Sequence, residues 1–402
     1  MPLDRNLGLP KITLFGLGTV IGAGIYVLLG EVVTSAGVLA PVSFLLAAIL
    51  AGFSAFSFAE LSARIPQSAG EALYVYEAFG SRAFSTLIGL LVVSVGCVAC
   101  ATLANGFVGY ATSLFSLPPL ILIVGFVGAL GMLAAWGIKE SAWVAAAITV
   151  VEVGGLAVVI VFAALAADPA NFTAAPSANG LTRGMWLGVF GGTLLAFFAY
   201  AGFEDMVNVA EEVKDVRRIL PLAIIITLVA SFVIYHTLAL VVIFAVPTDL
   251  IAGSEAPIAL VFEYTTGWSA TPISVVGILA VVNGALVQII MASRVLYGLA
   301  RSGQLPRVLA AINDRTDTPL KATALVTAAV LGLALWLPLV ALAKITSLIV
   351  LLVFTAVNLA LIVIKRRDPS PEGITVYPAW LPWAGLVTSG GFVGYQLFLL
   401  VG

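Results

Sequence analysis

Few residues in this chain are able to do chemistry, and those that are stand where charge is costly. Glu152 lies in the middle of Thr149-Val150-Val151-Glu152-Val153-Gly154-Gly155, with no charged residue within a helical turn. In a bilayer an ionised side chain at that depth costs at least about 2.5–3.5 kcal/mol on insertion scales. The carboxyl must therefore be protonated, paired with a base or matched by a bound cation. Its chemistry would be proton carriage or contact with a cationic ligand; a structural acid bonded to a neighbouring helix is the plainer alternative. Glu204 and Asp205 follow Gly202 and could relay protons or gate a passage. His236 could carry a proton or sit as a hydrogen-bonded buried ring. Asn105 and Asn283 could line a polar cavity or join helices to each other. Cys97 and Cys100 have metal-like spacing, but they share one apolar run with no second ligand pair, so they read as small packing residues. No set of paired acids with a histidine, and no metal set, suggests a catalytic residue, a cofactor or an enzyme. No Gly-rich phosphate loop ends in lysine, and the net charge of −2 gives no reason to expect a nucleic-acid partner.

Two glycine-interrupted stretches tell more than any single side chain. They are Ile21-Gly22-Ala23-Gly24-Ile25-Tyr26 and Ala199-Tyr200-Ala201-Gly202-Phe203-Glu204. Unwound backbone inside a membrane exposes N–H and C=O groups, which is tolerated only beside a polar cavity or within protein. A matched pair of breaks in two halves of a chain points to a transporter's central binding site. Amides of Gly22, Ala23 and Gly24, at the positive end of a half-helix, could hold a carboxylate. Carbonyls near Ile21 and around Phe198, Ala199, Tyr200 and Ala201 could hold an ammonium. A zwitterion would fit without a dedicated charged side chain. The competing reading is that the glycines only let helices pack closely.

The elements that must position these residues are membrane spans. Of 402 residues, 61% are apolar and 9% charged, against about a quarter charged in soluble domains. Eleven apolar runs of spanning length are predicted, near 12–33, 40–62, 84–113, 119–138, 142–166, 185–211, 219–246, 271–300, 321–337, 340–364 and 380–401. The first follows Arg5 and Lys11 as a signal peptide would, but it is too long for one and is expected to remain. With the N-terminus cytoplasmic, all 18 basic residues except Arg183 and Lys344 fall on the inner side, as the positive-inside rule requires. The C-terminus is then outside. The seven tryptophans (136, 143, 186, 268, 336, 380 and 383) fall at or near span ends, as in an interfacial aromatic belt. Five spans per unit makes two units, 12–166 and 185–364, that cross the membrane in opposite directions, each opening on a broken helix. Residues 168–184 would join them, and 380–401 would be an added helix. A short helix is expected around 254–266. Glu60, Glu211 and Glu212 stand near Arg64, Lys214, Arg217, Arg218 and Arg294, where ion pairs could gate the inner side. The sequon Asn171-Phe172-Thr173 is assigned no role.

At this point the residues resemble a known family. Gly18-Thr19-Val20-Ile21-Gly22-Ala23-Gly24-Ile25-Tyr26 is similar to the first-helix signature of the amino acid–polyamine–organocation (APC) superfamily. Pro66 to Tyr76 resembles its first inner loop, with Ala69 and Glu71 in place of commoner glycines. Phe197 to Glu204, then Ala210-Glu211-Glu212-Val213-Lys214 and Pro221, resembles its sixth helix and exit. Ser293-Arg294-Val295-Leu296-Tyr297, Ala300-Arg301 and Gly303-Gln304-Leu305-Pro306 resemble the end of its eighth helix. The resemblance implies an all-α integral membrane protein of the LeuT-type five-plus-five inverted repeat, with helices 1 and 6 broken and an eleventh helix added. It implies secondary active transport of amino acids or related small amines across the cytoplasmic membrane by alternating access. It also supports Phe198 as an aromatic gate and ranks Glu204 above Asp205. In several proton-coupled members the fifth-helix position corresponding to Glu152 carries a lysine. The reversed sign here weakens transfer of that mechanism and favours a protonatable carboxylate or an anionic contact for a cation. Proton coupling through Glu152 is the leading expectation, ahead of exchange or sodium coupling. A channel or a transporter-like sensor is the reading from a different class. The substrate's identity and the oligomeric state are not legible.

Overall fold

A computed structural model describes residues 7–22, 24–67, 70–137, 142–168, 182–313, 315–316 and 318–401. Expectations for Arg5, Ala23, Ala69, Lys139, the sequon at Asn171 and most of the 168–184 connection lie outside these residues, as does the side chain of Trp143. Among the described residues all regular structure is helical, with two isolated bridges, Leu7 to Val213 and Asn313 to Thr318. Among the described residues, eight stretches are long and apolar enough to cross a membrane. The first of them, Leu9–Arg64, comprises α1 (Leu9–Ile21), α2 (Gly24–Ala36) and α3 (Ala40–Arg64).

The remaining long helices follow the predicted runs closely, with short helices added between them. They are α4 (Gly70–Phe79), α5 (Arg82–Thr112), α6 (Pro119–Trp136), α7 (Ala142–Leu165), α8 (Arg183–Tyr200), α9 (Val216–Ala245), α10 (Thr248–Ile251), α11 (Pro257–Thr266), α12 (Thr271–Arg301), α13 (Leu320–Trp336), α14 (Leu339–Arg367) and α15 (Trp380–Val401). Local chemistry sets their ends. Ser81 and Thr182 cap α5 and α8 by accepting from the amides of Phe84 and Met185, which satisfies otherwise orphaned donors. Gly137 and Gly267 end α6 and α11 at φ of +78° and +71°, the left-handed conformation that glycine adopts most readily. Six of the tryptophans, at 136, 186, 268, 336, 380 and 383, are exposed, and each lies at or beside a helix end.

Pairs of helices meet through small residues, as packing without a hydrophobic drive requires. Helix α5 lies against α12, with Gly96 facing Ala292. Helix α2 lies against α8, and α3 against α9. A buried polar network ties α3, α14 and α15: Ser57 donates to Asn358 Oδ1 (2.6 Å), whose amide donates to Ser54 Oγ (2.9 Å). Glu60, fully buried on α3, accepts from Arg64, from Lys365 Nζ (2.6 Å) and from the amide of Tyr377 (3.0 Å). Its charge is thus compensated where an unpaired one would be costly.

Both interruptions are present, and they differ. At the first, α1 ends at Ile21 and α2 begins at Gly24; Gly22 keeps helical angles. At the second, Ala201 is extended and Gly202 turns at φ +125°, after which a 3₁₀ helix runs over Phe203–Glu212. The two breaks touch. Thr19 Oγ1 donates to Gly202 O (3.0 Å), and the Tyr235 hydroxyl donates to Val20 O (2.8 Å). A Cβ on Gly24 would lie 2.5 Å from Ala199 Cα, and one on Gly202 would lie 2.7 Å from Thr19 O. Gly24→Ala and Gly202→Ala should therefore each lower the melting temperature in detergent by several degrees, in line with about 1–3 kcal/mol for overpacking. Gly391→Ala, where an added Cβ meets nothing within 4 Å, should not lower it, because in a helix interior alanine is favoured over glycine by about 1 kcal/mol.

Candidate functional site

The second break exists because its freed backbone groups find partners. Glu204 reaches back two residues to accept from the amide of Gly202 (2.8 Å). The carbonyl of Gly202 takes the Thr19 hydroxyl and the amide of Asp205 (3.1 Å). Asp205 accepts from Gln288 Nε2 of α12 (3.2 Å). These contacts hold two carboxylates on the wall of a cavity bounded by both breaks.

That cavity has an empty volume of about 820 Å³, including its open mouth. Thr19, Val20 and Gly24 line it from the first break, and Phe198, Ala201, Gly202, Glu204, Asp205 and Asn208 from the second. Glu71 of α4 enters from one end, Gln288 and Met291 from α12, and Val350 and Phe354 from α14. Among the described residues, three carboxylates and no Lys, Arg or His line it. Glu71 is almost fully buried. Burial pushes its carboxyl up to about 7 and the nearby Asp205 adds to the rise, while a bond to its own backbone amide opposes it.

Of the residues singled out from sequence, Gly24, Phe198, Ala201, Gly202 and Glu204 line this cavity. Phe198 is 7% exposed and lines the cavity wall. Ile21 and Tyr200 are buried and do not line it, and Ala199 is spent on the approach to Gly24. Gly22 does not offer the amide anticipated for a carboxylate, because its N–H completes the last turn of α1 by donating to Gly18 O (3.1 Å). The Phe198 carbonyl is likewise engaged, sharing the Ala201 amide with Phe197 O. The bipolar backbone cradle is thus narrower than expected, while side-chain carboxylates are more prominent.

Asn105 faces away from the cavity, its amide donating to Ala101 O and to Ala334 O of α13 (both 3.2 Å). Glu152 and Asn283 meet each other instead: Asn283 Nδ2 donates to Glu152 Oε1 (3.2 Å). Above that pair, Tyr26 donates to Glu152 O (2.7 Å) and Tyr110 to Tyr26 O (2.7 Å). This polar column joins α7, α12, α2 and α5 beside the cavity. No ion pair links Arg294 to Glu212 among the described residues; the charge cluster at the helix ends is built on Glu60 with Arg64 and Lys365. His236 stacks on Phe232 at 5.4 Å between centroids. Sequence reasoning missed Glu71, Gln288 and Asn208, and it underrated Asp205. The available signal was Glu71 in the place of a commoner glycine.

Helices of spanning length around a polar cavity with interrupted walls make this a multi-pass membrane protein. The amino acid permease family profile matches residues 7–401, and the chain belongs to that family, within the APC superfamily. These are permeases, not enzymes. The chain is 28% identical over 394 residues to the branched-chain amino acid permease BcaP of Bacillus subtilis, covering 91% of this chain and 82% of that protein. It is 29% identical over 387 residues to the vacuolar cationic amino acid transporter 4 of Arabidopsis thaliana, covering 91% of this chain but 64%, under two thirds, of that relative. A methylthioribose transporter of B. subtilis is 28% identical over 411 residues, with coverage of 96% and 87%.

The buried Glu71 makes a prediction about pH. A carboxyl raised in the folded state favours folding below its unfolded pKa, and that contribution is lost as pH rises through about 7. Glu71→Gln cannot ionise, so wild type and variant should melt alike near pH 5, and the variant should melt higher at pH 8. Parallel melting curves across that range would show that Glu71 does not titrate in the folded protein.

Proposed function

We propose that this protein is a secondary active transporter that carries an amino acid or a related small amine by alternating access. The observation that carries this reading is a polar cavity walled by two interrupted helices that contact each other, with Gly24 on Ala199 and Thr19 on Gly202. The arrangement suits two inverted five-span units, 12–166 and 185–364, with α15 outside them, in the LeuT-type manner. Basic residues concentrated on one side favour a cytoplasmic N-terminus and an external C-terminus in the cell membrane. The branched-chain and cationic amino acid relatives favour an amino acid as cargo. The ammonium would face the acidic wall, and Phe198 would close over the substrate.

Coupling to protons through Glu152 is supported by its partner. Asn283 now donates to the carboxylate and keeps its own Oδ1 without a hydrogen-bond partner. An amide presents a donor at one end and an acceptor at the other. Rotating it would let Asn283 accept from a protonated Glu152, so both protonation states can be satisfied in place. Glu204 is a second proton-accepting group on the cavity wall.

Reconstitution tests both levels. Proteoliposomes should take up leucine or arginine against a gradient when a pH difference is imposed, and should show saturable counterflow. A purely electrodiffusive current would make the protein a channel. Glu152→Gln should abolish pH-driven accumulation while preserving counterflow. Unchanged pH-driven uptake in that variant would remove Glu152 from coupling, and dependence on sodium or on internal substrate alone would replace protons by sodium or exchange.

A further inference from the structure

The acidic cavity has a neighbour of opposite character. The adjoining vestibule is bounded by Tyr76 of α4, Arg82 of α5, Arg294 of α12 and Gln304 just beyond it, and among the described residues no Asp or Glu lines it. The two share Asn208, Met291 and Val295 as a common wall. Helices α4 and α12 run along both, presenting Glu71 and Gln288 to the deep cavity and Tyr76 and Arg294 to the vestibule. From Gln288 to Arg294 is six residues of helix, a rise of ~9 Å. Arg82 and Arg294 come from different helices into one concavity, and no ion pair ties either to an acid among the described residues.

Isolated surface arginines are ordinary. Two on separate helices facing one hollow from which acids are missing, directly beside a hollow with acids and no bases, are a segregated pair of surfaces. A guanidinium presents a fixed fork of donors that matches a carboxylate in two-point geometry. We propose that Arg82 and Arg294 form a vestibular subsite for a small carboxylate-bearing solute, separate from the deep cavity. The ~9 Å rise along α12 sets the Arg294 backbone apart from that of Gln288. In this arrangement the ammonium is held deep beside Asp205, and the arginines receive the carboxylate as the solute enters or leaves. That the solute is an amino acid rests on the proposed function; recognition of a carboxylate does not.

Arginine-selective labelling of the purified full chain by phenylglyoxal, read by mass spectrometry, tests the subsite without transport. L-leucine and isovalerate, at twice their dissociation constant, should slow labelling of Arg82 and Arg294 about threefold, as simple occupancy requires. Isoamylamine, which lacks the carboxylate, should not, and exposed Arg307 should label at an unchanged rate throughout. Absence of protection by isovalerate, or equal protection by isoamylamine, would overturn the proposal. Protection by phosphatidylglycerol micelles but not by isovalerate would also overturn it, assigning the arginines to a lipid phosphate. In proteoliposomes, the Arg82→Gln/Arg294→Gln double variant should raise KM for leucine at the vestibular face about tenfold, the equivalent of one 1.4 kcal/mol contact, with KM at the opposite face unchanged. An equal rise at both faces would count against it. If the wild type carries neither leucine nor arginine, the transport reading fails, and the labelling still decides the subsite.

Discussion

Every backbone amide and carbonyl in an apolar surround must find a partner, and here that demand is hardest to meet where α1 and α8 stop being helices. The molecule meets it by pushing the two interruptions against each other. Thr19 supplies a hydroxyl to the carbonyl of Gly202, Glu204 supplies a carboxylate to its amide, and Tyr235 supplies a hydroxyl to Val20 O. Gly24 and Gly202 are needed because the opposing backbone lies where a Cβ would stand. The cavity is a consequence: chain that leaves the helix cannot also fill the space beside it.

The same constraint arranges the charges. Acids that would be costly in hydrocarbon are placed in one of three settings. Glu60 is held between Arg64 and Lys365 and fixes the end of α3 to α14. Glu152 shares a hydrogen bond with Asn283 and carries the Tyr26 and Tyr110 hydroxyls above it. Glu71, Glu204 and Asp205 line the cavity, where a mobile cation, a proton or an ammonium group can compensate them.

Composition and spacing made the class of protein, the helices of spanning length and the position of both interruptions legible, and the short helix expected near 254–266 forms at Pro257–Thr266. The motifs around Gly24 and Gly202 likewise marked two walls of the cavity. What escaped was the detail of who satisfies whom. Asn105 and Asn283 look alike in sequence, each a lone amide in an apolar run, yet one bonds to helix carbonyls and the other to Glu152. Arg294 and Glu212 looked like partners because both stand near the inner ends of spans, but helix rotation turns Arg294 into a separate vestibule.

The sequence by itself thus determined that the chain crosses a membrane many times, that two of its helices are interrupted, and that a handful of acids lie in apolar surroundings, because hydropathy and backbone freedom are local properties. Tertiary structure decided that Gly22 spends its amide on α1 and that Glu71 and Asp205 join Glu204 in one wall. It also decided that Glu152 meets the side-chain amide of Asn283. Those outcomes depend on the rotation of each helix about its axis and on contacts between residues far apart in the chain, as with Thr19 and Gly202 or Glu152 and Asn283. No periodicity within a single span encodes which face of a helix, apolar nearly all round, turns toward a particular neighbour.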